Sequence, residues 1–282
     1  MSSVSDYLGL MQYRIVALLV LSSVAGFVIA NGLNGAGALR GLALVVLAVA
    51  VSGAGAELLN KVLEIDIDRK MKRTMNRASA RGRINKTHGL AHGIILSAAG
   101  ILLGYAVNVL TAAMVFLGIF FYIVIYTIWL KRRSRFSIII GGLAGSFCVW
   151  AGVTAASGTI ALPGFVLGLL VLLWIPGHIW SFAMRYRKDY IKAGVPMLTA
   201  VESKKTGARV ISAFNIVMAA FSVYLAVFLG AYYAVIIVIP LALSLYLSFK
   251  TMVNSSAAWT LFKFSSVYLA FAFLGVIVAG IA

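Results

Sequence analysis

Cysteine and acidic side chains are scarce in this sequence. Its 282 residues include one cysteine, Cys148, inside an apolar stretch, which excludes an intrachain disulfide and a thiolate metal cluster. Only seven residues are acidic, against 24 lysines and arginines, and charged residues of all kinds make up 11% of the chain. Because 62% of the residues are apolar, the composition excludes an ordinary soluble domain.

Long apolar runs fill most of the chain. A run of about 20 apolar residues spans a bilayer as a helix, and lipid cannot satisfy the open backbone of isolated strands. The sequence therefore predicts an all-α, polytopic membrane helix bundle that forms one domain over residues 1–282. The first run is too long for a signal peptide and lacks a cleavage site, so we expect it to remain as a helix. The nine predicted spans are 14–31, 40–62, 90–109, 111–130, 137–156, 162–184, 208–228, 231–250 and 259–281.

The connections between these spans alternate in charge. Those after the second, fourth and sixth spans are basic, whereas those after the third, fifth and seventh contain no lysine or arginine. The positive-inside rule therefore predicts a cell membrane protein whose amino terminus and even-numbered connections lie in the cytoplasm. The net charge of +17 is then one-sided, which suits anionic lipid head groups and phosphorylated substrates better than nucleic acid.

Acidic residues cluster where the second predicted span meets its basic connection. Asn60, Glu64 and Asp68 are spaced by four residues, so successive members lie only about 40° apart on a helix, whereas Asp66 points elsewhere. Oxygen ligands one turn apart suit a cation such as Mg²⁺, or Mn²⁺ in its place, that bridges to substrate phosphates. We therefore predict Asn60, Glu64 and Asp68 as metal ligands and catalytic residues.

Basic side chains follow this cluster directly. Guanidinium and ammonium groups hold the phosphate oxygens that a metal ion leaves free. The alternative is a solvated run of charge that pairs with itself and with lipid. The oxygen ligands beside it favour a diphosphate site, and the predicted cationic contacts of that site are Arg69, Lys72, Arg73 and Arg77.

A second acidic cluster follows the sixth predicted span. If this helix runs straight, His178, Arg185 and Asp189 share one face, with His178 about 16 Å deeper than Asp189. We predict Asp189 as a catalytic residue and a metal ligand at a second position; alternatively, it caps the helix or pairs with Lys188 or Lys192. His178 either makes a hydrogen bond across helices or contacts an acceptor substrate.

Two pairs of rings are spaced by one helical turn. Tyr122 and Tyr126 line one face of the fourth predicted span, where the quadrupoles of their rings would shield a carbocation. Aromatic residues in membrane helices also serve as packing or interfacial anchors, and that alternative stays open. His88 and His92 begin the third span, but the sequence offers no third metal ligand nearby.

These groups together support the departure of diphosphate from an isoprenoid. A divalent cation and basic side chains stabilise charge on the leaving group. A dry cavity within a helix bundle protects the resulting allylic carbocation from water. A secondary transporter is the alternative from another class, but its ionisable groups would lie at the bilayer midplane and not at helix ends.

The motifs resemble those of the UbiA superfamily of intramembrane prenyltransferases. Asn60, Glu64 and Asp68 match its first motif, Asn-x3-Asp-x3-Asp, with glutamate at the middle position. Within the superfamily, residues 66–77 are similar to Asp-Ile-Asp-Arg-x-Met-x-Arg-Thr-x-x-Arg of the protohaem IX farnesyltransferase branch. Residues 174–197 resemble that branch's Trp-x-x-Pro-His…Asp-Tyr-x-x-Ala-Gly-x-Pro-Met, with the proline displaced by one position.

The resemblance implies a nine-helix enzyme in the lipid bilayer whose active site opens toward the cytoplasm. It implies Mg²⁺-dependent transfer of a farnesyl group from farnesyl diphosphate to a vinyl group of haem b, which gives haem O. An aromatic or quinone precursor or a glycerolipid is the alternative acceptor. Arg185 stands where the superfamily has another aspartate, so it and Lys192 are expected to contact the diphosphate. The expected acceptor and cavity residues are His178, Tyr122, Tyr126 and Tyr190.

Overall fold

The chain forms helices throughout the residues that the computed structural model describes, which are 4–31, 33, 35, 37–160 and 162–282. This part of the chain contains no strand. Its first half contains α1 (Val4–Leu10), α2 (Tyr13–Asn31), α3 (Ala38–Leu63), α4 (Ile65–Lys70), α5 (Lys86–Tyr105), α6 (Val109–Phe120) and a π-helix (Phe121–Leu130). Its second half contains α7 (Ser137–Gly141), α8 (Leu143–Ser157), α9 (Leu162–Arg185), α10 (Arg187–Ala193), α11 (Leu198–Val201), α12 (Lys204–Leu229), α13 (Ala231–Val253), a 3₁₀ turn (Ser255–Ala257) and α14 (Ala258–Ile281).

Nine helical segments in the described residues are long and apolar enough to cross a membrane, which confirms the predicted all-α bundle. The third segment begins four residues before the predicted span of 90–109. The reason is the side chain of Asn85, whose Oδ1 accepts hydrogen bonds from the backbone N–H groups of Thr87 and His88 and caps α5. Capping chemistry, and not hydropathy, therefore fixes this boundary.

The sixth segment does not run straight into the second acidic cluster. Helix α9 ends at Arg185, and Tyr186 leaves helical geometry with φ −101° and ψ 27° before α10 begins at Arg187. The condition under which His178, Arg185 and Asp189 would share one face, a straight helix, is therefore not met. The break places Asp189 on α10, and α10 packs against α4, the helix that carries Asp68 of the first acidic cluster.

The fourth segment also departs from a regular α-helix. Helix α6 continues into ten residues of π-helix, and the backbone N–H of Lys131 bonds the carbonyl of Tyr126, five residues earlier. Such wide turns are rare and are frequently found at functional sites. Here the π-helix delivers Lys131 to the end of α3, where the first acidic cluster lies.

Small residues let the central helices approach closely. A Cβ atom on Gly152 of α8 would lie 1.9 Å from the carbonyl oxygen of Ser23 on α2, and one on Gly26 would lie 2.2 Å from the carbonyl oxygen of Val149. Helices in membranes use such contacts in place of a hydrophobic driving force. The α2–α8 crossing therefore requires glycine on both helices.

The substitution Gly152→Ala is expected to destabilise the fold by about 1–3 kcal/mol, because the added methyl group overpacks the α2–α8 crossing. Thermal unfolding of the purified protein in detergent measures this. Gly9→Ala is the matched control, since a Cβ atom at Gly9 meets nothing within 4 Å. Equal melting temperatures for the two variants would contradict the close approach.

Candidate active site

The first acidic cluster lies where α3 ends and α4 begins. Glu64 is the junction residue, yet the backbone N–H of Glu64 still bonds the carbonyl of Asn60, at 3.0 Å, and that of Asp68 bonds the carbonyl of Glu64, at 2.8 Å. Asn60, Glu64 and Asp68 are 2%, 3% and 2% exposed. Asp66 is exposed, on a different side of α4 from its two neighbours in the motif.

Both buried carboxylates of the motif are held by cations from elsewhere in the chain. The Nζ atom of Lys131 donates to the two carboxylate oxygens of Glu64 at 2.5 and 2.6 Å. The Nη1 atom of Arg77 donates to both oxygens of Asp68 at 2.9 and 2.8 Å. A buried carboxylate without such a partner would be very costly, so each cation here is part of the local fold.

The amide of Asn60 completes this layer. Its Nδ2 donates to the hydroxyl of Thr127 at 2.9 Å, and its Oδ1 accepts from Nζ of Lys61 at 2.7 Å. The hydroxyl of Thr127 in turn donates to the carbonyl of Tyr122, so the amide is fixed against the π-helix. Because Nδ2 of Asn60 donates to Thr127 of the π-helix, Oδ1 is the amide atom that faces Lys61.

A buried network lies one turn deeper and is absent from the predicted site. Glu57 is 3% exposed, and its carboxylate accepts hydrogen bonds from Nε2 of Gln12, Nζ of Lys61 and the hydroxyl of Tyr122. The spacing of Glu57 and Lys61 by four residues is a signal that the sequence offered, because such pairs meet on a helix. No local signal identifies Gln12, which adopts a left-handed conformation with φ 47° to reach this carboxylate.

The two predicted tyrosines of the π-helix form one continuous wall. The rings of Tyr122 and Tyr126 are nearly parallel, with centroids 6.1 Å apart and an interplanar angle of 8°. Nζ of Lys131 lies 5.3 Å from the centroid of the Tyr126 ring. The wall therefore joins the Glu57 network to the Lys131–Glu64 pair.

The second acidic cluster meets the first at Arg73. The backbone N–H of Arg73 donates to Oδ2 of Asp189 at 3.4 Å. The guanidinium of Arg73 lies 4.7 Å from the ring centroid of Phe182 and 5.4 Å from that of Tyr186. Tyr190 is buried beside this contact, and its burial raises the pKa of its hydroxyl to about 12, so the phenol stays protonated.

Four predicted diphosphate contacts lie outside these pairs. Nε of Arg69 donates to the carbonyl of Ala80 at 2.9 Å, and Arg69 lines a pocket of about 510 Å³ on another side of α4. Arg185 lies 5.8 Å from the ring centroid of Trp259 and lines a second pocket of about 350 Å³. Lys72 and Lys192 are exposed. The structure thus brings Arg73 and Arg77, but not Arg69 or Arg185, against the acidic motifs.

His178 makes the hydrogen bond across helices that was one of its two predicted roles. Its Nδ1 lies 2.5 Å from the hydroxyl oxygen of Ser265 on α14. Its ring stacks on Trp174, with centroids 4.3 Å apart, and on Phe262, with centroids 4.5 Å apart. His92 is exposed, and its Nδ1 bonds the carbonyl of His88 at 2.7 Å.

The donor chemistry of the first cluster fits a divalent cation. The described residues contain no group of three or more His, Cys, Asp or Glu side chains placed to hold a metal ion. They offer instead the carboxylates of Glu64 and Asp68 and the amide oxygen of Asn60, which are hard oxygen donors of the kind that Mg²⁺ takes together with water and phosphate. The carboxylates are neutralised by Lys131 and Arg77, so a metal ion would take over a charge balance that already exists.

The substitution Glu57→Ala is expected to destabilise the protein by about 3–5 kcal/mol, because it leaves the ammonium of Lys61 buried without its carboxylate. Asp66→Ala is the matched control. This variant breaks the exposed ion pair with Arg132, and such a pair is worth about 0–1 kcal/mol. The hydrogen bonds from Arg132 hold the pKa of Asp66 below its usual range. Thermal unfolding in detergent separates the two, and equal losses would contradict the burial argument.

The comparisons with known proteins agree with this architecture. The sequence profile of the UbiA prenyltransferase family matches residues 19–278. The chain is 40% identical to protoheme IX farnesyltransferase of Sulfurisphaera tokodaii, over 97% of this chain and 92% of that protein. It is 37% identical to protoheme IX farnesyltransferase of Metallosphaera sedula, over 94% of this chain and 92% of that protein.

Solved structures share the fold at low sequence identity. A digeranylgeranylglyceryl phosphate synthase gives a TM-score of 0.78 at 20% identity, covering 98% of both chains. A UbiA homologue from Archaeoglobus fulgidus bound to GPP and Mg²⁺ gives a TM-score of 0.70 at 15% identity, covering 96% of this chain and 99% of that one. With a family profile that spans nearly its whole length and relatives of this identity, the chain belongs to the UbiA prenyltransferase family.

Proposed function

We propose that this protein transfers a farnesyl group from farnesyl diphosphate to protohaem IX and so makes haem O. The observation that carries the proposal is the identity of 36–40% over at least 93% of the chain with relatives named protoheme IX farnesyltransferase. Membership in a prenyltransferase family supplies the reaction class. The name of the relatives supplies the acceptor.

The metal ligands in this proposal are Asn60, Glu64, Asp68 and Asp189. Their oxygens fit Mg²⁺, and the homologue from Archaeoglobus fulgidus with GPP and Mg²⁺ supports that choice. When bound, the divalent cation would stabilise negative charge on the departing diphosphate. Asp189 accepts a hydrogen bond from the backbone of Arg73, 116 positions earlier, so we expect the two acidic motifs to serve one substrate group.

The cations of the site would hold the remaining phosphate oxygens. Arg77 and Lys131 neutralise Asp68 and Glu64 in this structure. A metal ion bound to those carboxylates would free the side chains of Arg77 and Lys131 to bind the diphosphate. Their interaction with its negative charge would be strong because the site contains little water. Arg73 lies between the two motifs, with Lys72 and Lys192 exposed nearby in sequence. Arg69 and Arg185 are left out of this set because they line other pockets.

The aromatic wall would protect the reactive carbon. Tyr122 and Tyr126 of the wall, and Tyr190 beside the second motif, are phenols that would offer electron-rich ring faces to an allylic cation. A high pKa at Tyr190 prevents its oxygen from forming a phenolate that would capture the cation. The hydroxyl of Tyr122 is held by its hydrogen bond to Glu57. The oxygen is therefore directed toward Glu57, and the face of the ring would be presented to the cation.

The proposed reaction has three reactants, which are farnesyl diphosphate, protohaem and water. The bond between farnesyl C1 and oxygen breaks, and the electron pair leaves with diphosphate. A vinyl carbon of protohaem bonds to C1, and the positive charge moves to the neighbouring carbon, next to the porphyrin ring. Water adds there and loses one proton, which gives a hydroxyl group beside the new farnesyl chain.

The placement in the membrane is also a proposal. We take residues 1–282 as one prenyltransferase domain in the cell membrane, because the family profile runs through nearly all nine spans. The basic even-numbered connections favour a cytoplasmic amino terminus and a site that opens toward the cytoplasm. A cysteine introduced after the second span should then be labelled by a membrane-impermeant thiol reagent only in inverted vesicles.

Incubation of the purified protein with Mg²⁺, farnesyl diphosphate and haem b tests the proposed function. Mass spectrometry should detect haem O, and chelation of divalent cations should abolish it. Parallel reactions contain a hydroxybenzoate or a glycerolipid acceptor. If a prenylated phenol or lipid forms and no haem product does, the proposed prenyl transfer stands and protohaem is wrong as the acceptor.

The substitution Asp68→Asn is expected to lower the rate of farnesyl transfer by about 10²–10³, because an amide cannot balance the charge of the metal ion or of Arg77. Asp66→Asn, two residues earlier and exposed, is the matched control and should stay near the wild-type rate. Initial rates at saturating substrates measure both. Similar losses in the two variants would remove Asp68 from the site.

A further inference from the structure

His178 is packed between α9 and α14. Its ring lies against those of Trp174 and Phe262, with centroid distances of 4.3 and 4.5 Å and interplanar angles of 21° and 31°. Nε1 of Trp174 donates to the carbonyl of Ser265 at 2.9 Å, which fixes the indole against α14. These contacts restrict the rotation of the imidazole.

The hydrogen bonds around Ser265 determine which nitrogen of His178 carries the proton. The hydroxyl of Ser265 lies 2.7 Å from the carbonyl oxygen of Phe262 and 2.5 Å from Nδ1 of His178. A hydroxyl has one proton, and the carbonyl of Phe262 can only accept. Both contacts are satisfied only when Ser265 donates to Phe262 and Nδ1–H donates to Ser265. The lone pair of the imidazole therefore lies on Nε2.

Nε2 of His178 has no hydrogen-bond partner among the described residues. It is also not one of the fully buried polar atoms without a partner, which belong to Ser79, Ser97, Ser137, Trp180 and Tyr233. The side chain as a whole is half-buried. The lone pair is therefore accessible and fixed in direction, as a metal ligand requires.

A column of rings connects this nitrogen with the proposed diphosphate site. Phe182 and Tyr186 follow His178 at intervals of four residues, and the guanidinium of Arg73 lies over both rings. His178 is eight residues before Tyr186, which corresponds to about 12 Å along a helix. A large flat acceptor bound at His178 would therefore extend toward the end of the cleft where diphosphate departs.

We propose that Nε2 of His178 is the axial ligand to the iron of the acceptor haem. This inference rests on the proposed function, because it requires protohaem as the acceptor. Metal-bound histidines almost always donate their other N–H to an oxygen acceptor, and Ser265 supplies that acceptor here. Iron coordination fixes the centre of the macrocycle, so that a vinyl group is presented to the farnesyl carbon from a constant distance.

Resonance Raman spectra of the wild-type protein with ferrous haem test the ligand directly. The expected result is an iron–histidine stretching band that shifts when all histidines are labelled with ¹⁵N. This measurement needs no variant, so it does not depend on whether a substitution folds. Bound haem without such a band would overturn the proposal.

Substitutions then assign the band to one of the three histidines. His178→Gly should lose the band and recover it, together with farnesyl transfer, when imidazole is added to the buffer. His92→Ala is the matched control, because Nδ1 of His92 also bonds a carbonyl and leaves Nε2 with the lone pair, but its ring is exposed. It should keep the band. Loss of the band in His92→Ala alone would overturn the assignment.

Ser265→Ala tests the second half of the argument. It removes the acceptor of Nδ1–H, and the affinity for haem should fall by about tenfold or more while the band remains at a shifted frequency. An unchanged frequency would contradict the proposed tautomer. Wild-type protein that converts haem b to haem O without an iron–histidine band would retain the proposed function and overturn only the ligand, whereas a failure to make haem O would overturn the function first.

Discussion

Negative charge buried at the edge of a membrane is the constraint on which the rest of this structure depends. A carboxylate there must be matched by a cation at close range, since the surroundings supply little water to solvate it. The three buried carboxylates each meet this requirement within 3 Å, in the pairs Glu57–Lys61, Glu64–Lys131 and Asp68–Arg77. The Glu57–Lys61 pair lies within α3, whereas Glu64–Lys131 connects the α3–α4 junction to the end of the π-helix and Asp68–Arg77 connects α4 to the loop after it. Two of the contacts that balance charge therefore also join separate parts of the chain.

This constraint bears on how the proposed diphosphate site would exist before its ligand arrives. The carboxylates proposed to hold a divalent cation are neutralised here by the cations proposed to contact phosphate. A metal ion bound with its diphosphate would add positive and negative charge together, so that carboxylates and basic side chains would each find a new partner of opposite sign. The proposed site would thereby change partners without leaving an unpaired charge in a medium that penalises one.

The sequence predicted the elements of this site better than their geometry. Hydropathy located the nine spans of the described residues, and the four-residue spacing of Asn60, Glu64 and Asp68 predicted that three buried oxygen-bearing side chains lie together where α3 meets α4. Three features required the structure. The break at Tyr186 has no proline or glycine to announce it, and it changes which helix carries Asp189. Lys131 lies 67 residues from Glu64, and neither its neighbours nor its spacing indicate the pair. Arg185 follows the pattern of a phosphate contact, but side-chain packing against Trp259 turns it into another cleft.

The π-helix at Phe121–Leu130 determines the direction in which the side chain of Lys131, the next residue, points toward Glu64. Each hydrogen-bonded ring of a π-helix contains one more residue than a ring of an α-helix. The last side chains of this segment therefore lie at a different angle around the helix axis from the one that an α-helix of the same length would give. Loss of a single residue from this segment would return it to ordinary pitch and turn everything that follows by about 100°. Lys131 would then face away from Glu64, although every side chain of the site was still present. The length of this one segment therefore matters to the proposed site as much as the charge of Lys131 that follows it.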